Sequence, residues 1–202
     1  FLLFFSPQLI TAQIMFSEIL GSSVYTAGAS STSTAMAFAD VDGDGDDDLL
    51  ITGTNGTSPW DRIAKLFLND GNGNFTEVIG TPFQGTFQGS IDFSDIDGDN
   101  DLDVLITGTL SSNQESSILY INDGSGNFTA VAGTPFIGVS SGNVEFADID
   151  GDNDEDLLIT GITFSSLEKS KLYINDGSGN FTEVIGTPFT DVYKSSIGFA
   201  DV

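Results

Sequence analysis

Residues Asp40 to Asp48 read DVDGDGDDD, and this run lies between two apolar stretches, Ala35 to Ala39 and Leu49 to Ile51. It returns as DIDGDNDLD at Asp95 to Asp103 and as DIDGDNDED at Asp148 to Asp156, and Asp201-Val202 opens a further copy. Carboxylates this closely spaced repel one another in a folded chain unless a cation neutralises them, so each copy is a candidate metal loop. A calcium ion takes about six to eight hard oxygen ligands. Acids at loop positions 1, 3, 5 and 9, with a main-chain carbonyl at 7, can wrap one such ion within a tight turn. The expected side-chain ligands are therefore Asp40, Asp42, Asp44 and Asp48; Asp95, Asp97, Asp99 and Asp103; and Asp148, Asp150, Asp152 and Asp156. Asp46, Asp101 and Asp154 would offer their main-chain oxygen. Position 6 must bend sharply, and it holds Gly45, Asn100 and Asn153, the residue types that most readily take left-handed geometry.

Neighbouring chemistries fit less well. An EF-hand shares the opening DxDxDG but requires a bidentate Glu at position 12 and flanking helices. Here position 12 is Ile51, Ile106 or Ile159. Magnesium prefers to keep its waters rather than enter a crowded protein cage. The bland alternative is a set of solvated acidic turns, against which three matching copies argue.

The loops set the phase of a longer repeat. They start at Asp40, Asp95, Asp148 and Asp201, with spacings of 55, 53 and 53 residues, the range of propeller blades rather than of helical solenoids. Ile-Thr-Gly recurs at 51–53, 106–108 and 159–161, and Asn-Asp-Gly at 69–71, 122–124 and 175–177. Phe-Thr follows at 75, 128 and 181, and Thr-Pro-Phe at 81, 134 and 187. Each unit parses into four short strands. The first leads into the loop (Ser90 to Ser94, Gly142 to Ala147), and the second leaves it (Leu49 to Thr52, Val104 to Thr107, Leu157 to Thr160). The third is Lys65 to Asn69, Ile118 to Asn122 or Lys171 to Asn175, and the fourth starts at Phe75, Phe128 or Phe181. β-Branched and aromatic residues fill these runs and no helical periodicity occurs, so the fold class is all-β. DGNG or DGSG joins the third and fourth strands, which makes Asp70, Asp123 and Asp176 turn formers rather than extra metal ligands.

The string FADVDGDGDDDLLITG at 38–53, followed by LFLNDGNGNFTEV at 66–78, resembles the FG-GAP or VCBS-type repeat of integrin-α-like β-propellers. The resemblance covers about residues 14–202. It implies a β-propeller of four-stranded antiparallel blades, stabilised by one Ca2+ per acidic loop and commonly of about seven blades. On that reading this chain holds about three blades of a partial ring, with repeats at about 35–88, 89–141 and 142–194 and the start of a fourth at 195–202. The remaining blades of the full-length chain would be its first partners.

Composition bounds the rest. The chain has 202 residues, 39% of them hydrophobic, and a formal charge of −25. Its acids lie in spaced loops between apolar segments, which is the pattern of a folded protein rather than a disordered tail. Five Lys and Arg are too few to neutralise a nucleic-acid backbone or an anionic membrane. Without cysteine, stability outside the cell would have to come from calcium instead of disulfides. Phe1 to Ile10 (FLLFFSPQLI) is an apolar run of signal-peptide length, with a cleavage point after Ala12, and is too short to span a bilayer. Residues 1–12 thus read as the remnant of a signal peptide and 13–202 as the repeat region, with secretion or the cell surface as destination. The missing initiating Met and the broken final motif read as an internal fragment of a longer frame. Phe16 to Gly21 (FSEILG) matches the fourth-strand segments at Phe75 and Phe181 and would supply the outer strand of a last blade in a closed ring.

In an up-and-down meander the acidic loop and the strand 3–4 hairpin share one face, and the strand 2–3 loop takes the other. The only length change between repeats falls in that 2–3 loop, which is two residues longer in the first unit. Trp60, Asp61 and Arg62 stand there and could contact a sugar or protein, or Trp60 could simply cover the blade edge. With no His or Cys, and with the clustered carboxylates assigned to calcium, the chain is not expected to be an enzyme. The expected function is a secreted calcium-binding module for adhesion or for recognition of an extracellular protein or glycan. The alternative is an accessory propeller of an extracellular hydrolase or lyase.

Overall fold

The computed structural model describes residues 35–54 and 61–200. The signal-like stretch at 1–12, the segment Phe16 to Gly21, Trp60 and Asp201 lie outside them. The described chain forms three antiparallel sheets. The first contains β1 (Ala35–Ala39), β2 (Asp48–Thr54), β3 (Arg62–Asn69) and β4 (Phe75–Glu77), paired in that order. The third repeats the plan with β10 (Val144–Ala147), β11 (Asp156–Ile162), β12 (Glu168–Asn175) and β13 (Phe181–Glu183). In the second sheet β6 (Ile91–Ser94), β7 (Asp103–Leu110), β8 (Glu115–Asn122) and β9 (Phe128–Ala130) follow the same plan. A further short strand, β5 (Thr86–Phe87), also pairs with β7. Each sheet contains a four-stranded meander of the propeller-blade type, to which β5 adds a fifth strand in the second sheet, so the all-β reading and its strand order hold.

One strand boundary differs from the sequence reading. The second strand runs past Ile-Thr-Gly, to Thr54, Leu110 and Ile162. Gly108 permits this: a Cβ there would stand 2.8 Å from the Thr86 Cβ and 2.9 Å from the Gly89 Cα, so glycine lets β5 cross over the strand. Thr86 and Phe87 pair with Leu110 and Thr109, so β7 has a strand partner ahead of β6. Likewise Ser140 bridges Ile162 in the third sheet.

The core lies between successive sheets. Leu50 and Leu66 of the first sheet meet Val104, Ile106, Tyr120 and Phe128 of the second. Leu105 and Leu119, on the opposite face of the second sheet, meet Val144, Leu157, Ile159 and Tyr173 of the third. The second strand of each blade is therefore buried on both faces, which is why its sequence is a continuous apolar run instead of an alternation. Each fully buried Leu or Ile contributes about 1.5–3 kcal/mol. Links between blades are fastened by aromatic side chains: the Tyr120 hydroxyl accepts a hydrogen bond from Gln84 N, and the Phe83 ring meets Tyr120 edge-on at 5.0 Å. Ile137, Tyr173 and Phe136 repeat this one blade later. This accounts for the Thr-Pro-Phe column. Met36 and Phe38 of β1 are 60% and 54% exposed, on the side of the first sheet away from the second. Among the described residues no helix is long and apolar enough to cross a membrane.

Candidate metal centres

The register places the acidic loops identically in all three blades. Ala39 pairs with Asp48, Ser94 with Asp103 and Ala147 with Asp156, so the loop closes between the residue before position 1 and the acid at position 9. Position 6 turns as expected, with φ of 92° at Gly45, 72° at Asn100 and 73° at Asn153.

Three carboxylates converge in each loop, with ligand-capable oxygens within 4.8 Å of one another: Asp40, Asp42 and Asp48; Asp95, Asp97 and Asp99; Asp148, Asp150 and Asp156. Asp44, Asp103 and Asp152 share these loops but stand outside the triplets. Position 1 organises the turn, since Asp40 Oδ1 accepts from Gly43 N and Asp44 N while Oδ2 accepts from Gly45 N. Asp95 repeats that arrangement, and Asp148 receives Gly151 N and Asn153 N. Position 5 accepts from the residue two further on, as in Asp44 Oδ1 from Asp46 N.

Position 9 ties the loop to the rest of the blade. Asp103 is fully buried; its Oδ2 accepts from Ile96 N at 3.2 Å and its Oδ1 from Asn122 N at 2.8 Å. Burial pushes its pKa up to about 7 despite those two bonds, and Asp97 and Asp99 add repulsion. Burial raises Asp48 and Asp97 as well, the latter assisted by Asp99. Position 3 has the opposite character: Asp42 Oδ1 and Asp97 Oδ1 are buried with no hydrogen-bond partner. A buried carboxylate oxygen without a donor, beside other carboxylates, is costly by itself and is satisfied by a hard cation. All-oxygen donors, crowding and orphaned atoms together fit Ca2+.

Position 7 behaves differently from a simple carbonyl donor. The side chains of Asp46, Asp101 and Asp154 lie over Gly71, Gly124 and Gly177 of the hairpins, where an added Cβ would come within 2.3, 2.3 and 2.4 Å of a carboxylate oxygen. Asp70, Asp123 and Asp176 are turn formers: Asp70 Oδ1 accepts from Asn72 N and Asn74 N, and Oδ2 from the Asn74 amide. The Asn74 side chain holds the Asp70 carboxyl below its ordinary range.

The Asn of the Asn-Asp-Gly column is a functional residue that the sequence reading took only as turn punctuation. Asn122 Nδ2 donates to Val41 O in the preceding blade's acidic loop and to Leu102 O in its own, and Asn175 Nδ2 does the same with Ile96 O and Glu155 O. Its signal was its fixed phase with the loops. At the other end of the blades Arg62 is spent on a contact between blades: its Nη2 donates to Asn113 Oδ1 at 3.0 Å, and its guanidinium carbon stands 6.0 Å from the Phe87 ring centroid.

The FG-GAP-like repeat family matches residues 40–106 and 95–159, more than half of the chain. No curated protein matches. Among the solved structures similar to this chain is one with a TM-score of 0.52 and 23% identity, covering 74% of this chain and 37% of the other. Its published description concerns specific recognition of non-reducing terminal N-acetylglucosamine by an Agrocybe aegerita lectin. The present chain thus spans little more than a third of that protein, and the likeness is one of fold.

Proposed function

From the premise that this chain belongs to the FG-GAP-like repeat family, we propose that it is a calcium-stabilised recognition module of a secreted or surface protein, binding an extracellular protein or glycan without catalysis of its own. The observation that carries the reading is the repeated carboxylate triplet with a buried, unpartnered oxygen at Asp42 and Asp97. Asp40, Asp42 and Asp48; Asp95, Asp97 and Asp99; and Asp148, Asp150 and Asp156 would hold the ions. Bound calcium supplies positive charge that cancels the repulsion within each loop and locks the turn to the sheet. The carboxylates are thereby occupied in structure, which leaves recognition to the other end of the blades. Met36 and Phe38 suit the packing of a further blade, as Ile91 and Phe93 do in the second sheet.

Equilibrium dialysis against radioactive calcium checks this reading. It predicts one ion for each of the three triplets, with a magnesium excess unable to displace them. No bound calcium at millimolar concentration would refute it.

A further inference from the structure

The strand 2–3 loops of the second and third blades border an open cleft of about 580 Å³, whose walls include Gln114, Glu115, Gly138, Phe164, Ser165 and Lys169. It lies at the end of the blades away from the acidic loops. A cleft of this size accommodates a small organic ligand.

Three observations distinguish it from an incidental gap. First, both walls are turns closed by backbone hydrogen bonds. Thr163 N donates to Leu167 O at 2.9 Å and Ser166 N to Thr163 O at 2.7 Å; Leu110 N donates to Gln114 O and Asn113 N to Leu110 O, each at 2.8 Å. Phe164 is nevertheless 74% exposed, so an aromatic ring is held out in water by an ordered turn rather than folded away. Second, Glu115 Oε2 is buried without a hydrogen-bond partner. Third, the repeat departs from itself here. Leu119 to Thr129 is identical to Leu172 to Thr182, but Thr109 to Ile118 and Ile162 to Lys171 share only the Ser112/Ser165, Glu115/Glu168 and Ser117/Ser170 pairs. The cleft residues Phe164 and Lys169 replace Ser111 and Ser116.

The charges at the cleft are balanced locally. Glu115 interacts electrostatically with Arg62 of the first blade, and Lys169 Nζ is 3.2 Å from Asp191 Oδ2. A neutral ligand is therefore favoured over an ion, and the overall charge of −25 disfavours anions further. An aromatic face together with a carboxylate and an amide that bond hydroxyl groups describes a site for an uncharged polyol ring.

We propose that this cleft between the second and third blades binds a neutral pyranoside, stacked on Phe164 and hydrogen-bonded through Glu115 and Gln114. The assignment rests on the reading of the chain as a recognition module and names its site and ligand class. A calcium-loaded sample would be screened by saturation-transfer NMR and then calorimetry. The panel would be the methyl glycosides of glucose, galactose, mannose, N-acetylglucosamine and N-acetylgalactosamine, with methyl glucuronide and a tetralysine peptide beside them. At least one neutral glycoside is expected to bind, with affinity falling tenfold or more in Phe164→Ala and in Glu115→Gln and unchanged in Glu168→Gln, which lies outside the cleft. Unchanged melting curves of Phe164→Ala would show that the loss is local. Binding that survives Phe164→Ala and Glu115→Gln would overturn the site while leaving the recognition module standing. No glycoside binding, or tighter binding of glucuronide or tetralysine, would overturn the ligand class; a protein ligand found on an extracellular-protein array would then keep the broader reading alive.

Discussion

At the acidic end of the blades, Asp95 to Asp101 and Asp148 to Asp154 are the same seven residues, and the hairpins beside them are also identical. At the other end, Thr109 to Ile118 and Ile162 to Lys171 have drifted apart although their lengths match. The difference follows from how many bonds each side chain serves. Asp103 joins its loop to β8, Asn122 joins that strand to the loop of the preceding blade, and Asp101 covers a hairpin glycine. A change at any of these positions breaks contacts in two places. Gln114, Phe164 and Leu167 are exposed residues of turns closed largely by the backbone, so their identities are open to use.

The most severe way to break this contrast is Asp103→Ala. It strands Ile96 N and Asn122 N and removes an acid from the second loop. A loss of about 3–5 kcal/mol is expected in urea unfolding, with added calcium restoring only part of it. A cost under about 1 kcal/mol would mean that position 9 is not the tie described. Next comes Asn175→Ala, which leaves Ile96 O and Glu155 O without their amide donor. It should cost about 1–3 kcal/mol and loosen the third blade against the second, read as faster hydrogen exchange at Tyr173 and its neighbours.

Asp92 lies between the two ends and sharpens the comparison by pH. On β6 its Oδ2 accepts from Phe146 N of the next blade at 2.8 Å, and burial pushes its pKa up to about 6 from an ordinary 3.8. The folded state therefore holds this proton more tightly than the unfolded chain, and stability falls as pH rises from about 4 to about 6. Asp92→Asn should remove that part of the slope and be more stable than the parent at neutral pH by about 1–2 kcal/mol, with the advantage gone below pH 4. Equal slopes for parent and variant would count against the assignment. The smallest effect on stability belongs to Phe164→Ala, within about 0.5 kcal/mol, because the ring is exposed.

Local chemistry was legible in the sequence. The acidic loops, the left-handed position 6, the Asp-capped hairpins and four strands per unit are each written within a few consecutive residues, and the structure places them as read. What escaped was non-local. β5 has two residues, and its pairing with Thr109 and Leu110 depends on Gly108 admitting a second backbone. The amide of Asn122 reaches Val41, 81 positions away. Arg62 looked like part of a ligand-contact loop and instead bonds Asn113 of the next blade. The Phe164 cleft exists only where two blades meet, so neither repeat alone announces it.

Calcium-dependent melting tests the central claim most directly. The chain freed of divalent ions with a chelator and dialysed is compared with the same sample in millimolar calcium chloride, by circular dichroism. An ion at about a thousandfold over its Kd adds about 4 kcal/mol per site, which for a chain of this size moves Tm by about 10 °C or more. The account predicts a rise of that order, reversed by chelation and reproduced only weakly by magnesium. Superimposable melting curves with and without calcium would contradict it.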